Sequence, residues 1–380
     1  MNRFLLSIVA VLSFIWPVSA EVKVGIIVSA TGPAASVGVT QQRTVQILPK
    51  TLGGHDVEYI LLDDASDTTN AVKNAQKLIT EDRVDVIVGP SLTPNSLALL
   101  DMVTENKVPM ISLAGSALIV DPVDEKRHWV FKTPQSDVQM ASVILEHLKK
   151  TGIKSIAFIG FSDSYGEGLI KVMTELANSA SIEILASERF QRTDSSVTGQ
   201  ILKIVSRNPE AVFIAASGTP AALPQTTLVE RGYREAIYQT HGVANNDFLR
   251  VGGKALEGTF VPAGPVLVAE QLPDGHPAKM PALEFIEKYE ALPDAGARST
   301  FAAYLWDAQL ILDAAIAGAS QSARPGTPEF RAALRDAIEQ TKDVAGPNGV
   351  YTMSATDHLG LGDDSRVLTQ IVDGKWVLVD

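Results

Sequence analysis

The chain predicts an α/β protein made of two doubly wound lobes joined by three hinge crossings. Three observations carry this. Apolar runs of strand length alternate with segments of helical period. The alternation opens a second series near Ser136. The helices after Pro281 have no strands between them, so they must pack on a sheet already formed. The 380 residues suit two domains at about 100–200 residues each.

In the first series, the run VKVGIIV from Val22 reads as a buried strand. Val57–Leu62, Val84–Val88 and Pro109–Ser112 follow as strands. Between them, Thr69–Glu81 places Ala71, Val72, Ala75, Leu78 and Ile79 on one helical stripe. The next helix opens at Thr93-Pro94, with Thr93 read as the N-cap and Pro94 as the first helical residue. In the second series, Ser136 and Gln139 have capping-box spacing, and Gly152 closes that helix after Lys149-Lys150. Strands follow at Ser155–Gly160, Ile182–Ala186, Ala211–Ala216 and Ile237–Thr240, with helices between. The third region reads as helices over Pro281–Ala291, Ser299–Gly318 and Thr327–Thr341, placed on the first lobe. The tail from Gly349 reads as short strands with a hairpin turn at Asp373-Gly374.

Crossings between lobes are expected near Thr133–Pro134, Gly258–Thr259 and Gly346–Gly349. The first lobe is then 21–133 plus 259–346, and the second 134–258 plus 347–380. Residues 1–20 carry one positive charge, Arg3, an apolar run from Phe4, and a small-x-small ending at Ala20. This is the layout of a secretory signal peptide cleaved after Ala20, and the apolar core is short of the roughly 20 residues of a membrane span. A soluble, exported, periplasmic protein is expected, with no membrane insertion of the mature chain.

Composition narrows the function. Lys plus Arg number 32 against 44 Asp plus Glu, a formal net charge of −12. That argues against nucleic-acid binding, which needs a basic footprint. The chain has no cysteine, which excludes disulfides, thiolate metal sites, cysteine nucleophiles and a lipid-bearing Cys anchor. No P-loop, dinucleotide turn or complete nucleophile elbow occurs, and the six His are scattered without metal-ligand spacing. No cofactor and no metal are expected. A secreted α/β hydrolase would have to use Ser162, Asp163 and His241.

In doubly wound folds, ligands bind beyond the carboxyl ends of the strands. The segments there are Gly89-Pro-Ser91-Leu-Thr93, Leu113-Ala114-Gly115-Ser116, Gly160-Phe161-Ser162-Asp163-Ser164-Tyr165, Ser217-Gly218-Thr219 and His241-Gly242. They are rich in hydroxyls and glycines, which suits a small ligand held by hydroxyls and backbone amides. Thr93 has two readings. It anchors a carboxylate at a helix N-terminus, or it is a cap worth about 1 kcal/mol to the fold. Ser116 is a ligand hydroxyl or a loop hydroxyl. Tyr165 is a ligand wall or a residue packed over its own helix.

These segments resemble the substrate-binding proteins of ABC transporters for branched-chain amino acids, the Leu/Ile/Val-binding type. The resemblance is carried by Val24-Gly-Ile-Ile-Val-Ser-Ala-Thr-Gly-Pro33 with Gly38, Val88-Gly-Pro-Ser91, Pro109-Met-Ile-Ser112, Ser164-Tyr-Gly-Glu-Gly168, His241-Gly-Val243, Thr356-Asp-His-Leu-Gly360 and Gly374-Lys-Trp-Val377. It implies the type I periplasmic binding protein fold, whose two lobes close on ligand, and a membrane permease as partner. Monomer is the default state. It also implies that Thr93 and Ser116 supply carboxylate-binding hydroxyls, with the backbone of Thr93 and Ala114 beside them, and that Tyr165 closes from the second lobe. Departures matter equally. Where amino-acid-binding members carry an acid for the ligand's ammonium, this chain has His241. Ser217 or Gly218 and Val37 stand where aromatics can occur. An imidazole cannot replace a carboxylate as ammonium partner. The expected ligand is therefore a small carboxylate without an α-amino group, an aromatic acid. Phe161 is available to stack on its ring and His241 to bond a phenol or keto oxygen. Branched-chain or other amino acids remain the alternative, and a cytoplasmic-type sensing regulator on the same fold a further one.

Overall fold

The computed structural model describes residues 21–294 and 296–379. The proposed signal peptide lies outside them. Strands β1 (Val22–Val28), β2 (Thr51–Leu52), β3 (His55–Asp63), β4 (Val86–Val88), β5 (Met110–Ser112) and β6 (Val130–Lys132) form one sheet in the order β2-β3-β1-β4-β5-β6. A second sheet contains β7 (Ser155–Phe161), β8 (Glu183–Phe190), β9 (Ala211–Ala215), β10 (Ala236–Gln239) and β11 (Phe260–Ala263). A hairpin of β12 (Val344–Gly346) and β13 (Gly349–Tyr351) stands apart. Two tail strands, β14 (Val367–Val372) and β15 (Lys375–Leu378), extend the second sheet to β15-β14-β11-β10-β9-β7-β8.

The helices are α1 (Ala35–Thr44), α2 (Thr68–Lys77), α3 (Thr93–Glu105), α4 (Asp137–Thr151), α5 (Ser164–Ser179), α6 (Thr198–Val205), α7 (Ala222–Glu230), α8 (Asn246–Gly252), α9 (Lys279–Glu290), α10 (Thr300–Ala319) and α11 (Pro328–Glu339). The central strand β1 is covered on both faces. Val24, Ile26 and Val28 pack with Leu305, Ile311, Leu312 and Ile316 of α10 and Phe330 and Leu334 of α11. Ile27, one residue out of phase, packs with Ala75 of α2 and Leu99 and Val103 of α3. The late helices therefore cover the first sheet. Burial of these apolar side chains at about 25 cal/mol per Å² holds each lobe together.

Local signals match their elements. Ser136 accepts from the Gln139 N–H (3.1 Å) and Gln139 Oε1 from the Ser136 N–H (2.9 Å), a complete capping box, and Gly152 ends α4 at φ 76°. Asp373 and Gly374 take positive φ between β14 and β15.

Two crossings differ from those read off the sequence. β11 pairs with β10 and β14, so Phe260–Ala263 belongs to the second sheet and the chain leaves it after Ala263, not at Gly258–Thr259. Tyr351, Met353, Leu359 and Leu361 pack in the core of the first sheet, so the chain returns at 362–366, not at Gly346–Gly349. Glycines marked turns correctly, but a turn does not say which sheet the next apolar run joins. Residues 133–136 lead from β6 of the first sheet into α4. Gln135 ties the first crossing to the third and to α10. Its Nε2 donates to the carbonyls of Ser365 (2.5 Å) and Asn348 (3.3 Å), and its Oε1 accepts from the Tyr304 hydroxyl (3.1 Å).

Candidate functional site

The carboxyl ends of both sheets face one cleft, closed down to a cavity of about 30 Å³. That is room for a water or two, so a ligand enters only when the lobes part. The lobes touch across it. The Thr219 N–H of the second lobe donates to Ser36 Oγ of the first (3.2 Å), and the Asp137 N–H donates to the Gly115 carbonyl (3.0 Å).

The first-lobe wall is built on the start of α3. The Leu92 carbonyl accepts the first helical bond, from the Ser96 N–H (2.9 Å), and Leu92 itself is the extended N-cap, with no side-chain cap. This corrects the expectation that Thr93 is the cap. Thr93 is the first helical residue, 2% exposed, and its Oγ1 has no hydrogen-bond partner. A hydroxyl in that condition costs free energy unless something binds it. The N–H groups of the first turn have no intrahelical partners, so the spot carries a partial positive charge.

Val37, Ser91 and Ala114 also line the cleft. The Ser91 hydroxyl is already spent: it accepts from the Ser29 N–H (3.0 Å) and donates to Gln41 Oε1. The Ala114 N–H turns back to Ser112 Oγ (3.2 Å), so the backbone amide expected to face the ligand is engaged. Ser116 and Phe161 are not on the wall. Ser116 Oγ donates to Asp137 Oδ2 (3.2 Å) at the lobe crossing, and Asp137 Oδ1 accepts from the Ala117 N–H (2.9 Å). Phe161 is fully buried in the second lobe, its ring 4.9 Å from that of Phe190 and 4.1 Å beneath the guanidinium of Arg192.

From the second lobe come Tyr165, Ser217, His241 and Gly242. The Tyr165 hydroxyl donates to Thr240 Oγ1 (2.8 Å), and Thr240 donates to the Ala216 carbonyl (2.6 Å), so Tyr165 offers the cleft an apolar ring. Desolvation raises its phenol pKa, so it stays neutral. His241 is 3% exposed, and its Nδ1 has no partner. Burial, and secondarily the charge of Lys132, lower its pKa to about 3, so the imidazole is neutral across ordinary pH. Its ring lies against Gly115, where any Cβ would collide with Nε2.

Four wall residues were not anticipated. Arg192 Nε donates to Asp163 Oδ2 (2.6 Å) and Nη1 to Ser217 Oγ (3.0 Å). Phe301 and Tyr304 stand at the start of α10, and Pro134 at the first crossing. Among the described residues lining the cleft, none is Asp or Glu. Two of the three residues a hydrolase would need are committed elsewhere: Ser162 Oγ donates to the Phe190 carbonyl (3.3 Å), and Asp163 holds Arg192 and caps α5. Among the described residues, no cluster of His, Asp or Glu fit for a metal exists, and no helix is long and apolar enough to cross a membrane.

Two α/β lobes hinged at three points and closed over a lined cavity define a solute-binding protein. The family model described as "Periplasmic binding protein" matches residues 21–375, and the chain belongs to that family. Membership implies an extracytoplasmic location and work with an ABC transporter. An extracellular ligand-binding receptor from Rhodopseudomonas palustris HaA2 superposes with a TM-score of 0.92 at 46% identity, covering 95% of this chain and 100% of that one. A solute-binding protein from R. palustris solved in complex with benzoate superposes at 0.80 with 20% identity, covering 95% of this chain and 96% of that one. The Leu/Ile/Val-binding protein homolog 3 of Brucella melitensis is 25% identical over 272 residues, 68% of this chain and 73% of its own length.

Proposed function

We propose that this protein captures a small carboxylate, an aromatic acid, in the periplasm and delivers it to an ABC permease. The observation that carries the reading is the charge of the cleft wall. Among the described residues, it offers an unpartnered hydroxyl at a helix N-terminus, the guanidinium of Arg192 with Asp163 paired behind it, and no carboxylate. Such a wall accepts a negative head group and has nothing to pair with an ammonium. The rings of Tyr165, Phe301 and Tyr304 suit a flat apolar body. Burying a ring of about 150–250 Å² at about 25 cal/mol per Å² contributes roughly 4–6 kcal/mol. Charge-assisted hydrogen bonds add about 1.5–3 kcal/mol each, and closure and ordering offset part of the sum. Residues 1–20 serve as the export signal in this reading.

Ligand docks on the first lobe at Thr93. Rotation about the three crossings then brings Tyr165, His241 and Arg192 over it. Ligand shifts the open–closed balance because it touches both walls only in the closed form. The R. palustris protein of the same fold was solved in complex with benzoate, which supports an aromatic acid as the ligand class. A second reading, branched-chain amino acids, is favoured by the name of the Brucella relative. A thermal-shift screen of benzoate, phenylacetate, cinnamate and hydroxybenzoates against leucine, isoleucine and valine separates the two. Stabilisation by the acids alone supports the proposal, and stabilisation by leucine alone overturns it.

A further inference from the structure

We propose that Lys132 supplies the positive charge that holds the ligand's carboxylate, acting through the thin wall of Gly115 and taking up a solvent proton as the anion binds. This rests on the carboxylate reading above.

Lys132 ends β6 at the cleft edge of the first sheet and is fully buried. Its Nζ donates to the carbonyls of Gly115 (2.6 Å) and Ser116 (3.3 Å). Gly115 lines the cleft and has no side chain, so one stretch of backbone separates the ammonium from the ligand space. The other face of Gly115 meets His241. A buried ammonium costs several kcal/mol unless compensated, and neutral carbonyls compensate it only in part. The nearest acid, Asp137, is occupied by Ser116 and Ala117 and makes no ion pair with Lys132. His241 is neutral and contributes no counter-charge. The ring of His358, whose carbonyl accepts the Lys132 N–H, turns away to stack on Phe131 and bond Glu339. Behind the cleft wall thus sits a buried ammonium that Asp137 compensates only in part and without an ion pair, and an anion in the cavity would complete the compensation.

The free protein holds this amine with its pKa lowered to about 7 by burial, partly offset by Asp137. An opposite charge within about 4–6 Å raises such a value by about 1–3 units. Above pH 7, binding therefore draws a proton from solvent onto Nζ. Affinity for a carboxylate should fall about three- to fivefold from pH 7 to pH 8, because the free amine is already half protonated at pH 7. The affinity for the uncharged amide should not change with pH.

The test uses the full mature chain with benzoate and benzamide, followed by titration calorimetry in phosphate and in Tris at pH 8, and in MES and in Bis-Tris at pH 5.5. The expected result is buffer-dependent heat for benzoate at pH 8, amounting to about 0.4–0.9 proton taken up, and none at pH 5.5. Lys132→Met should abolish the uptake and lower benzoate affinity at least tenfold at pH 5.5 while leaving benzamide unaffected. The wild-type measurement needs no variant to fold. If leucine binds and benzoate does not, leucine replaces it in the same titration, and the aromatic reading fails while the role of Lys132 is still decided. Tight carboxylate binding with no proton uptake at pH 8 overturns the role of Lys132 alone. Binding of neither acid overturns both.

Discussion

Replacing Thr93 by valine separates a ligand anchor from a helix cap. Valine keeps the branched shape and removes only the hydroxyl. Thr93 Oγ1 is buried without a partner, and Leu92 occupies the cap position. Deleting an unpaired buried hydroxyl relieves a desolvation penalty, so the ligand-free protein should be unchanged or up to about 1 kcal/mol more stable in urea. A cap would lose about 1 kcal/mol instead. With ligand, the same hydroxyl donates one charge-assisted hydrogen bond worth about 1.5–3 kcal/mol. At 1.4 kcal/mol per tenfold, that is roughly a 10- to 150-fold weaker Kd. Urea unfolding and benzoate titration on the same preparation give both numbers. A variant that loses about 1 kcal/mol of stability and binds as well as the wild type would refute the reasoning, because the hydroxyl would then be serving the helix.

Gly115→Ala places a methyl against His241 Nε2, so closure should be blocked and benzoate affinity should fall at least tenfold with urea stability kept; small-angle scattering with ligand would show the open form persisting. His241→Glu sets a carboxylate beside Lys132 and the ligand's own negative head, so benzoate affinity should drop at least tenfold in calorimetry, and unchanged affinity would take His241 out of the site. Asp307 is fully buried beside the hinge, accepting from Asn348 Nδ2 (2.7 Å), and burial raises its pKa to about 7. The native state then binds more protons than the unfolded one between the ordinary carboxylate value and pH 7, so this group's contribution to stability falls as pH rises through that window, by up to about 1.4 kcal/mol per unit. Asp307→Asn should flatten that slope and stabilise the protein at pH 8, read by urea unfolding at pH 5 and pH 8.

The elements that the sequence revealed are those whose pattern is local. The run from Val22 is apolar on both faces because β1 is sandwiched between α10–α11 and α2–α3. Ser136, Gln139 and Gly152 mark their helix because caps are made by neighbours in the chain. Edge strands were read less well. β8 was expected to end at Ala186 and runs to Phe190: Glu188 and Arg189, on opposite half-exposed faces of this edge strand, are held in ion pairs with Lys203 and Glu167. The error had a consequence at the site. The rule of inspecting the residue after each strand points to Gln191–Arg192 once the true end is known, and Arg192 lines the cleft. Phe301 and Tyr304 carried no comparable signal, since aromatic residues at helical spacing read as ordinary core.

Sequence alone determined the alternation of strand and helix, the two series, the loops rich in hydroxyls and glycine, and a histidine at 241 just after a strand. These are properties of residue type and short-range order, and they survive without coordinates. Tertiary structure decided which sheet each late strand joins and which hydroxyls are spent. Ser91, Ser116 and Thr93 look alike in the chain. Only folding gives Ser91 to Gln41 and Ser116 to Asp137, and leaves Thr93 without a partner. The reason is physical: a hydrogen bond depends on positions fixed by packing between residues tens to hundreds apart in sequence. The same holds for Lys132, whose buried charge became visible only when Gly115 was set between it and the cleft.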